Sequence, residues 1–345
     1  MAESWIRRVG GSQRSRFRYV RPDGGAVRDK QTLARIATLR VPPAWRDVHI
    51  SPQARRAIQA WGFDARDRKQ YRYHAHAVAT GELRKYHRVR QLAKTLPQIR
   101  KALRVQSHHR ELTADTVSAI ALRLISESLF RPGSERYLRE NRSYGMTTLR
   151  KRHVTFDGDR AVFTFIGKSG KRNRQIVANA ELLPLIKRLQ RTPGQRLFRY
   201  RDGAGWSDLS AATLIGYLRT DIGPFAVKDF RTWGGTLRAA TVLADLGPPR
   251  SEAEAKRNVA VAMRIVSSEL GNTPAICRSS YVHPMVLARY LDDGETIVVR
   301  HTGRRAREIA GVFAHSPEER ALIAFLDRHF PERRRRKRDP MARAA

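Results

Sequence analysis

The chain has 345 residues, of which 41% are hydrophobic, so it can bury the cores of two ordinary domains and is not disordered as a whole. Its 68 Lys and Arg residues outnumber 32 Asp and Glu residues, and the formal net charge of +36 predicts a polyanionic partner, nucleic acid first. Cys277 is the one cysteine, which excludes an intrachain disulfide framework and cysteine-based zinc fingers, and no apolar run approaches membrane-spanning length.

Residues 1–88 have the pattern of a small β-rich domain. A Pro-Asp-Gly-Gly turn at 22–25 joins two β-prone runs, and a second hairpin is predicted with its turn at 63–67. Tyr71 and Tyr73 alternate on the last predicted strand, so both rings should lie on one side of it.

Residues 89–331 are predicted to form a larger, mainly α-helical domain. Thr113 is a candidate N-cap for an apolar helix. Three short strands follow, joined by turns at 157–160 and 168–173, as expected for an antiparallel β meander. Further helices are predicted at 182–190, 211–220, 232–245, 252–271 and 284–291.

The fold class predicted from this order of elements is α+β, with a β-rich domain first and a helical domain carrying the meander second. The remaining residues, 332–345, contain a run of like charge and are expected to form a disordered basic tail.

Four basic or phenolic residues stand where predicted elements end. Arg131 follows an apolar helix, Lys168 lies at the tip of the meander, Arg231 is flanked by apolar residues and glycines, and Tyr281 follows a helix that ends near residue 271. Charged groups in apolar surroundings need a partner, and a phosphate is a good one.

Cleavage of a phosphodiester needs this kind of side chain. The extra negative charge of the transition state is matched by fixed arginines, the leaving oxygen needs a proton donor, and a nucleophile must be placed in line. No carboxylate cluster has a convincing metal-binding spacing, and no stretch matches the ATP-binding P-loop pattern, so neither a metal nor a cofactor is expected.

Six stretches in the right order resemble the poxvirus-type and bacterial branch of DNA topoisomerase IB. In the N-terminal domain they are "PPAWRDVHIS" and "DARDRKQYRYH", and in the second domain they are "FRPGSERYLRENRSYGMTTLRKRHV", "FIGKSGKR", "KDFRTWGGT" and "LGNTPAICRSSYVHP". The resemblance runs from about Tyr19 to Tyr290.

The resemblance implies a role for each matching residue. Tyr281 would attack the phosphate and form a 3′-phosphotyrosyl link, and Arg131 and Arg231 would hold the non-bridging oxygens. Lys168 would be the general acid toward the leaving 5′ oxygen.

The resemblance also implies how the whole protein works. Residues 1–88 would clamp double-stranded DNA and residues 89–331 would be the catalytic domain. We expect a monomer without membrane contact, in the bacterial cytoplasm at the nucleoid, which relaxes supercoils of either sign without ATP or metal.

Three residues depart from the family's pattern, namely Asn272, Pro132 and Ser134, the last of which stands where asparagine is expected. Many members have a histidine nine residues before the nucleophile, where this chain has Asn272. An asparagine amide can donate a hydrogen bond to phosphate but cannot carry charge, so we expect Asn272 to be a neutral phosphate donor. Pro132 stands where an aliphatic residue is expected, and its fixed φ can alter how Arg131 is posed.

Several assignments have alternatives. Lys168 is favoured over Lys171 because it directly follows the strand. Lys228 is either a phosphate contact or a charge at a helix start. Tyr71, Tyr73 and Tyr137 are candidate DNA contacts, and the alternative is that they cover half-buried surfaces.

Two other functions compete with the topoisomerase reading. A tyrosine recombinase uses similar chemistry, although its second arginine usually follows a histidine by three positions, where this chain has Lys228. A non-catalytic DNA-compacting protein needs only the net charge of +36.

Overall fold

The computed structural model describes residues 5–11, 17–300 and 313–330. It divides the chain into two compact units, Met1–Lys85 and Tyr86–Ala345. The domain boundary expected after residue 88 stays a prediction, and the predicted basic tail lies outside the described residues.

The first unit is built on an antiparallel sheet with the strand order β2-β1-β3-β4-β5. The strands are β1 (Ile6–Val9), β2 (Arg18–Val20), β3 (Arg46–Ile50), β4 (Ile58–Phe63) and β5 (Lys69–Tyr73). Helix α1 (Lys30–Thr38) begins after Asp29, whose carboxylate accepts a hydrogen bond from the Thr32 N–H at 2.7 Å.

The core of this unit is small. Its buried side chains are Ile6, Val27, Ile36, Val48, Ile50 and Ala60. Pairing of β4 with β5 confirms the hairpin predicted with its turn at 63–67. Within the described range 17–300, no second strand directly follows the turn predicted at 22–25, where a single antiparallel bridge joins Val20 to Ala26.

Helices dominate the second unit. They are α2 (Ala75–Ser107, which begins in the first unit), α3 (Ala114–Ser128), α4 (Glu135–Asn141), α5 (Leu182–Gln190), α6 (Ala211–Tyr217), α7 (Val227–Leu246), α8 (Glu252–Leu270), α9 (Pro274–Ser280), α10 (Pro284–Asp293) and α11 (Pro317–His329). Among the described residues, no helix is both long and apolar enough to cross a membrane.

Helix α3 lies at the centre of the core. Thr113 caps it as predicted, since its hydroxyl accepts a hydrogen bond from the Thr116 N–H at 3.2 Å. All residues from 116 to 125 are buried, so α3 is surrounded by other elements on every side. Arg131 is placed just beyond its end.

The predicted meander is confirmed as β6 (Val154–Asp157), β7 (Arg160–Ile166) and β8 (Arg172–Val177), paired in that order and antiparallel. The turn between β7 and β8 contains Lys168, and Ser169 in it has a φ of 63°. The fold class predicted from the sequence is therefore confirmed in both units.

Some predicted boundaries were wrong. Helix α7 begins at Val227 and not at Thr232, because the Asp229 carboxylate accepts a hydrogen bond from the Ala226 N–H at 2.7 Å and caps the helix there. Arg231 therefore lies on the helix. The hairpin of β9 (Arg199–Asp202) with β10 (Gly205–Asp208) was missed, as was the short helix α9.

Candidate active site

Arg131 contacts the loop that follows α8. Its Nη2 donates to the backbone oxygen of Gly271 at 2.8 Å and to Oδ1 of Asn272 at 2.6 Å. Burial lowers the pKa of the Arg131 guanidinium, and the nearby Tyr281 opposes that shift. The Arg131 side chain is thus held in place by a segment that is distant in the sequence.

The backbone around Pro132 is also held. The Arg131 oxygen accepts a hydrogen bond from the Met146 N–H at 2.8 Å, and the Pro132 oxygen accepts one from the Thr147 N–H at 2.9 Å. Gly133 follows with a φ of 94°. The proline therefore sits in a hydrogen-bonded turn that still presents Arg131 to Asn272.

Arg231 is almost fully buried, with 2% of its surface exposed. It donates to two backbone oxygens at helix ends, Leu129 beyond α3 and Leu270 in α8, the second at 2.9 Å. Its Nε has no hydrogen-bond partner among the described residues. Burial lowers the pKa of this guanidinium to about 10, so it stays protonated at neutral pH.

Tyr281 ends α9 next to these arginines. The guanidinium carbon of Arg231 lies 5.1 Å from the centre of its ring, and the Nζ of Lys228 lies 5.4 Å from it. Burial raises the pKa of the phenol, but the charges of Arg231, Lys228 and Arg131 outweigh burial, and the pKa is lowered. A lowered pKa makes the phenolate more accessible at neutral pH.

The backbone beside Tyr281 is fixed from two sides. The Thr236 hydroxyl, five residues after Arg231 on α7, accepts a hydrogen bond from the His283 N–H at 3.0 Å. The Tyr86 hydroxyl on α2 donates to the Val282 oxygen at 2.9 Å. Both contacts link segments far apart in sequence, and sequence reasoning missed them.

The start of α7 is held by a buried ion pair. Asp229, 1% exposed, accepts from Nε of Arg88 at 2.6 Å and from Nη2 at 2.9 Å. Asp229 lies between Lys228 and Arg231 in the sequence. It fixes the helix turn that presents both cations to Tyr281.

Asn272 has one partnered and one unpartnered end. Its oxygen accepts from Arg131, whereas its Nδ2 is buried and has no hydrogen-bond partner among the described residues. A buried N–H without a partner is costly, so a ligand acceptor at this place would be stabilised.

Lys168 differs from the other predicted site residues. It is exposed on the turn between β7 and β8, and its amine makes no hydrogen bond or ion pair with any described residue. The structure therefore brings together Arg131, Arg231, Tyr281 and Asn272, but no hydrogen bond or ion pair joins Lys168 to them. Lys171, its alternative, is also exposed.

The remaining predicted residues are the candidate DNA contacts. Lys228 is brought to the Tyr281 ring. Tyr137 lies on α4 and is 50% exposed. In the first unit, Tyr71 and Tyr73 are exposed on β5 and stack with ring centres 5.9 Å apart, which confirms that they share one side of the strand. Their contact with DNA stays a prediction.

The described parts of the chain contain no side chains grouped as metal ligands. In 5–11, 17–300 and 313–330 no group of three or more His, Cys, Asp or Glu residues could hold a metal ion. The site described above is cationic and phenolic in character.

Two family models match the chain. Residues 75–300 match the catalytic core of eukaryotic DNA topoisomerase I, and residues 16–64 match the N-terminal domain of bacterial DNA topoisomerase IB.

Curated relatives carry the same description. The chain is 30% identical over 292 residues to a DNA topoisomerase 1B of Acanthamoeba polyphaga mimivirus, covering 82% of this chain and 87% of the relative. It is 24% identical over 207 residues to the DNA topoisomerase 1B of Vaccinia virus (strain Copenhagen), covering 57% of this chain and 62% of the relative.

Proposed function

Because the chain belongs to the DNA topoisomerase IB family, we propose that it relaxes supercoiled DNA by transient nicking through Tyr281. It is a DNA topoisomerase, an isomerase, and DNA is its substrate. The family decides against the recombinase and the DNA-compacting protein. The observation that carries the proposal is the phenol of Tyr281 beside the buried guanidinium of Arg231.

The nucleophile is activated by charge. A free tyrosine has a pKa of about 10 and is almost wholly protonated at neutral pH. Burial raises the pKa of Tyr281, but the charges of Arg231, Lys228 and Arg131 outweigh burial, so the pKa is lowered. The phenol proton leaves to solvent, and the phenolate oxygen bonds to phosphorus.

The transition state is stabilised by groups that are already in place. Arg131 and Arg231 are anchored by backbone oxygens, so they need little reorganisation when negative charge develops on the phosphate. Asn272 adds a neutral donor through its unpartnered Nδ2.

The leaving group needs a proton. As the bond between phosphorus and O5′ breaks, the Lys168 ammonium gives its proton to O5′ and a 3′-phosphotyrosyl link and a 5′-hydroxyl remain. In resealing, the 5′-hydroxyl attacks phosphorus, its proton returns to Lys168, and Tyr281 leaves. The covalent link keeps the energy of the phosphodiester, so the cycle needs no ATP, and the fixed cations supply the charge that a metal would supply.

We propose that the protein binds double-stranded DNA as a monomer. A net charge of +36 favours contacts to phosphates, with a strong dependence on salt and modest sequence preference. Tyr71, Tyr73, Tyr137 and Lys228 are proposed contacts. We place the protein in the bacterial cytoplasm, where the nucleoid lies, and propose no membrane contact.

A supercoiled plasmid tests the proposal. With EDTA and without ATP, the wild-type protein should relax positive and negative supercoils, and Tyr281→Phe should relax neither. Relaxation by Tyr281→Phe at the wild-type rate would overturn the assignment of the nucleophile. A requirement for added ATP or Mg²⁺ would overturn the cofactor-free cycle.

A further inference from the structure

The amide of Asn173 lies at the base of the turn that carries Lys168. Asn173 is on β8, opposite Phe165 of β7. Its Nδ2 donates to the Lys171 oxygen at 2.9 Å, and a Cβ added to Gly167 would lie only 2.2 Å from that nitrogen. The amide therefore fills the space in which a side chain at 167 would stand. It donates to the same Lys171 oxygen that accepts from the Gly167 N–H at 2.8 Å and closes the turn.

The other end of the same amide meets the phosphate side of the site. A Cβ added to Gly271 would lie 2.5 Å from the Asn173 Oδ1 and 3.4 Å from Nη1 of Arg131. Gly271 has a φ of 62°, which a glycine adopts without strain, and its oxygen accepts from Arg131. Asn173 thus spans from the Lys168 turn to the loop that holds Arg131 and Asn272.

Lys168 depends on such a support more than the other site residues do. Its amine makes no hydrogen bond or ion pair with the described residues, and its four-carbon stem is flexible. A general acid must come within hydrogen-bond reach of the oxygen it protonates. Only the position of its turn restricts where the amine can be.

We propose that Asn173 is a positioning residue, which fixes the Lys168 turn against Gly271 and so places the Lys168 amine at the leaving 5′ oxygen. The inference rests on the proposed function, in which Lys168 is the general acid. Asn173 itself exchanges no proton. Its effect is confined to the step in which the bond from phosphorus to O5′ breaks and O5′ takes a proton.

The test compares two leaving groups in single-turnover cleavage. One duplex has an ordinary phosphodiester at the mapped cleavage site, and the other has sulfur in place of O5′ there. Thiols have a pKa of about 8.5, against 15.7 for water, so the sulfur leaves as a thiolate without a proton donor.

Asn173→Ala should slow cleavage of the oxygen substrate by about tenfold, a fraction of what a general acid contributes, and cleave the sulfur substrate at the wild-type rate. Lys168→Ala should give the same pattern with a larger loss. Asn173→Asp keeps the size of the side chain but loses the donor to Lys171, and it should behave like Asn173→Ala. Gln175→Ala, two residues along β8, is the matched control and should leave both rates unchanged.

The outcomes separate the possible failures. Equal slowing of both substrates by Asn173→Ala and Asn173→Asp would assign a merely structural role to Asn173 and overturn the inference. A wild-type rate on the oxygen substrate would overturn it as well. If sulfur rescues Lys168→Ala alone, Asn173 fails and the proposed function stands; if the wild-type protein forms no adduct with either duplex, the proposed function itself fails.

Discussion

Arg231 and Lys168 are both cations of the proposed site, but they differ in burial and in hydrogen bonding. Arg231 is 2% exposed and anchored to two backbone oxygens, whereas Lys168 is exposed on a turn and makes no hydrogen bond or ion pair with the described residues. A charge that stabilises the transition state must stay fixed, so burial and anchoring suit it. A group that gives a proton to the leaving oxygen and takes it back must come within hydrogen-bond reach of that oxygen, which suits an exposed and flexible side chain.

Removal of Arg231 should have the largest effect, because it should lower both the cleavage rate and the stability of the fold. Arg231→Ala should slow cleavage by about 10³-fold, as expected for loss of a preorganised donor. It should also lower the free energy of unfolding by about 1–3 kcal/mol for each of the two buried oxygens left without a partner. Arg231→Lys should rescue neither effect, because the planar fork is lost.

Single-turnover cleavage and urea unfolding of the same variants check this prediction. A normal rate in a destabilised Arg231→Ala protein would show that the arginine is structural only.

Lys168→Ala should have a smaller effect, confined to the cleavage rate. Cleavage should slow by about 10²-fold, within the range for general acids, while the free energy of unfolding stays within about 0.5 kcal/mol of wild type. Lys171→Ala is the matched control on the same turn and should cleave normally. The reverse result would transfer the general-acid role to Lys171.

Asn272→Ala removes a neutral donor and should slow cleavage by about tenfold, the value of one hydrogen bond to a charged oxygen. Duplex affinity should be nearly unchanged, as measured by a filter-binding or fluorescence titration. Asn272→His, which restores the family's usual residue, should cleave at least as fast as wild type. Equal losses of affinity and rate in Asn272→Ala would refute the proposed role.

Lys228→Gln should have the smallest effect at high pH and the largest at low pH. The cation favours the phenolate, so its loss raises the pKa of Tyr281 and moves the rise of the cleavage rate to higher pH. Pre-steady-state rates measured across pH check this, and Lys228→Arg should keep the wild-type profile. An unchanged profile for Lys228→Gln would mean that Lys228 does not act on the nucleophile.

Local pattern explains what the sequence predicted well. Apolar periodicity and Thr113 predicted α3, and alternation between turns predicted β6, β7 and β8. The start of α7 was missed because its N-cap residue, Ala226, has no capping side chain. The carboxylate that caps the helix belongs to Asp229, and it is also held by Arg88 from the distant helix α2.

The site residues were predicted mainly from sequence motifs, and the contacts that hold them were not predicted. Arg131, Arg231 and Tyr281 came from stretches that resemble a family, and the structure shows the backbone oxygens that hold the two arginines. Thr236, Tyr86 and Asn173 could not be predicted, because their contacts join residues far apart in the sequence. No local pattern encodes such a contact.

The central claim is that the Tyr281 oxygen becomes bonded to DNA phosphorus at a 3′ end. The most direct measurement is to stop a reaction by denaturation, digest the protein and identify the nucleotide-bearing peptide by mass spectrometry. We predict a single adduct on Tyr281 with a 3′-phosphate linkage, absent from Tyr281→Phe. An adduct on another residue, a 5′ linkage, or relaxation without any adduct would contradict the account.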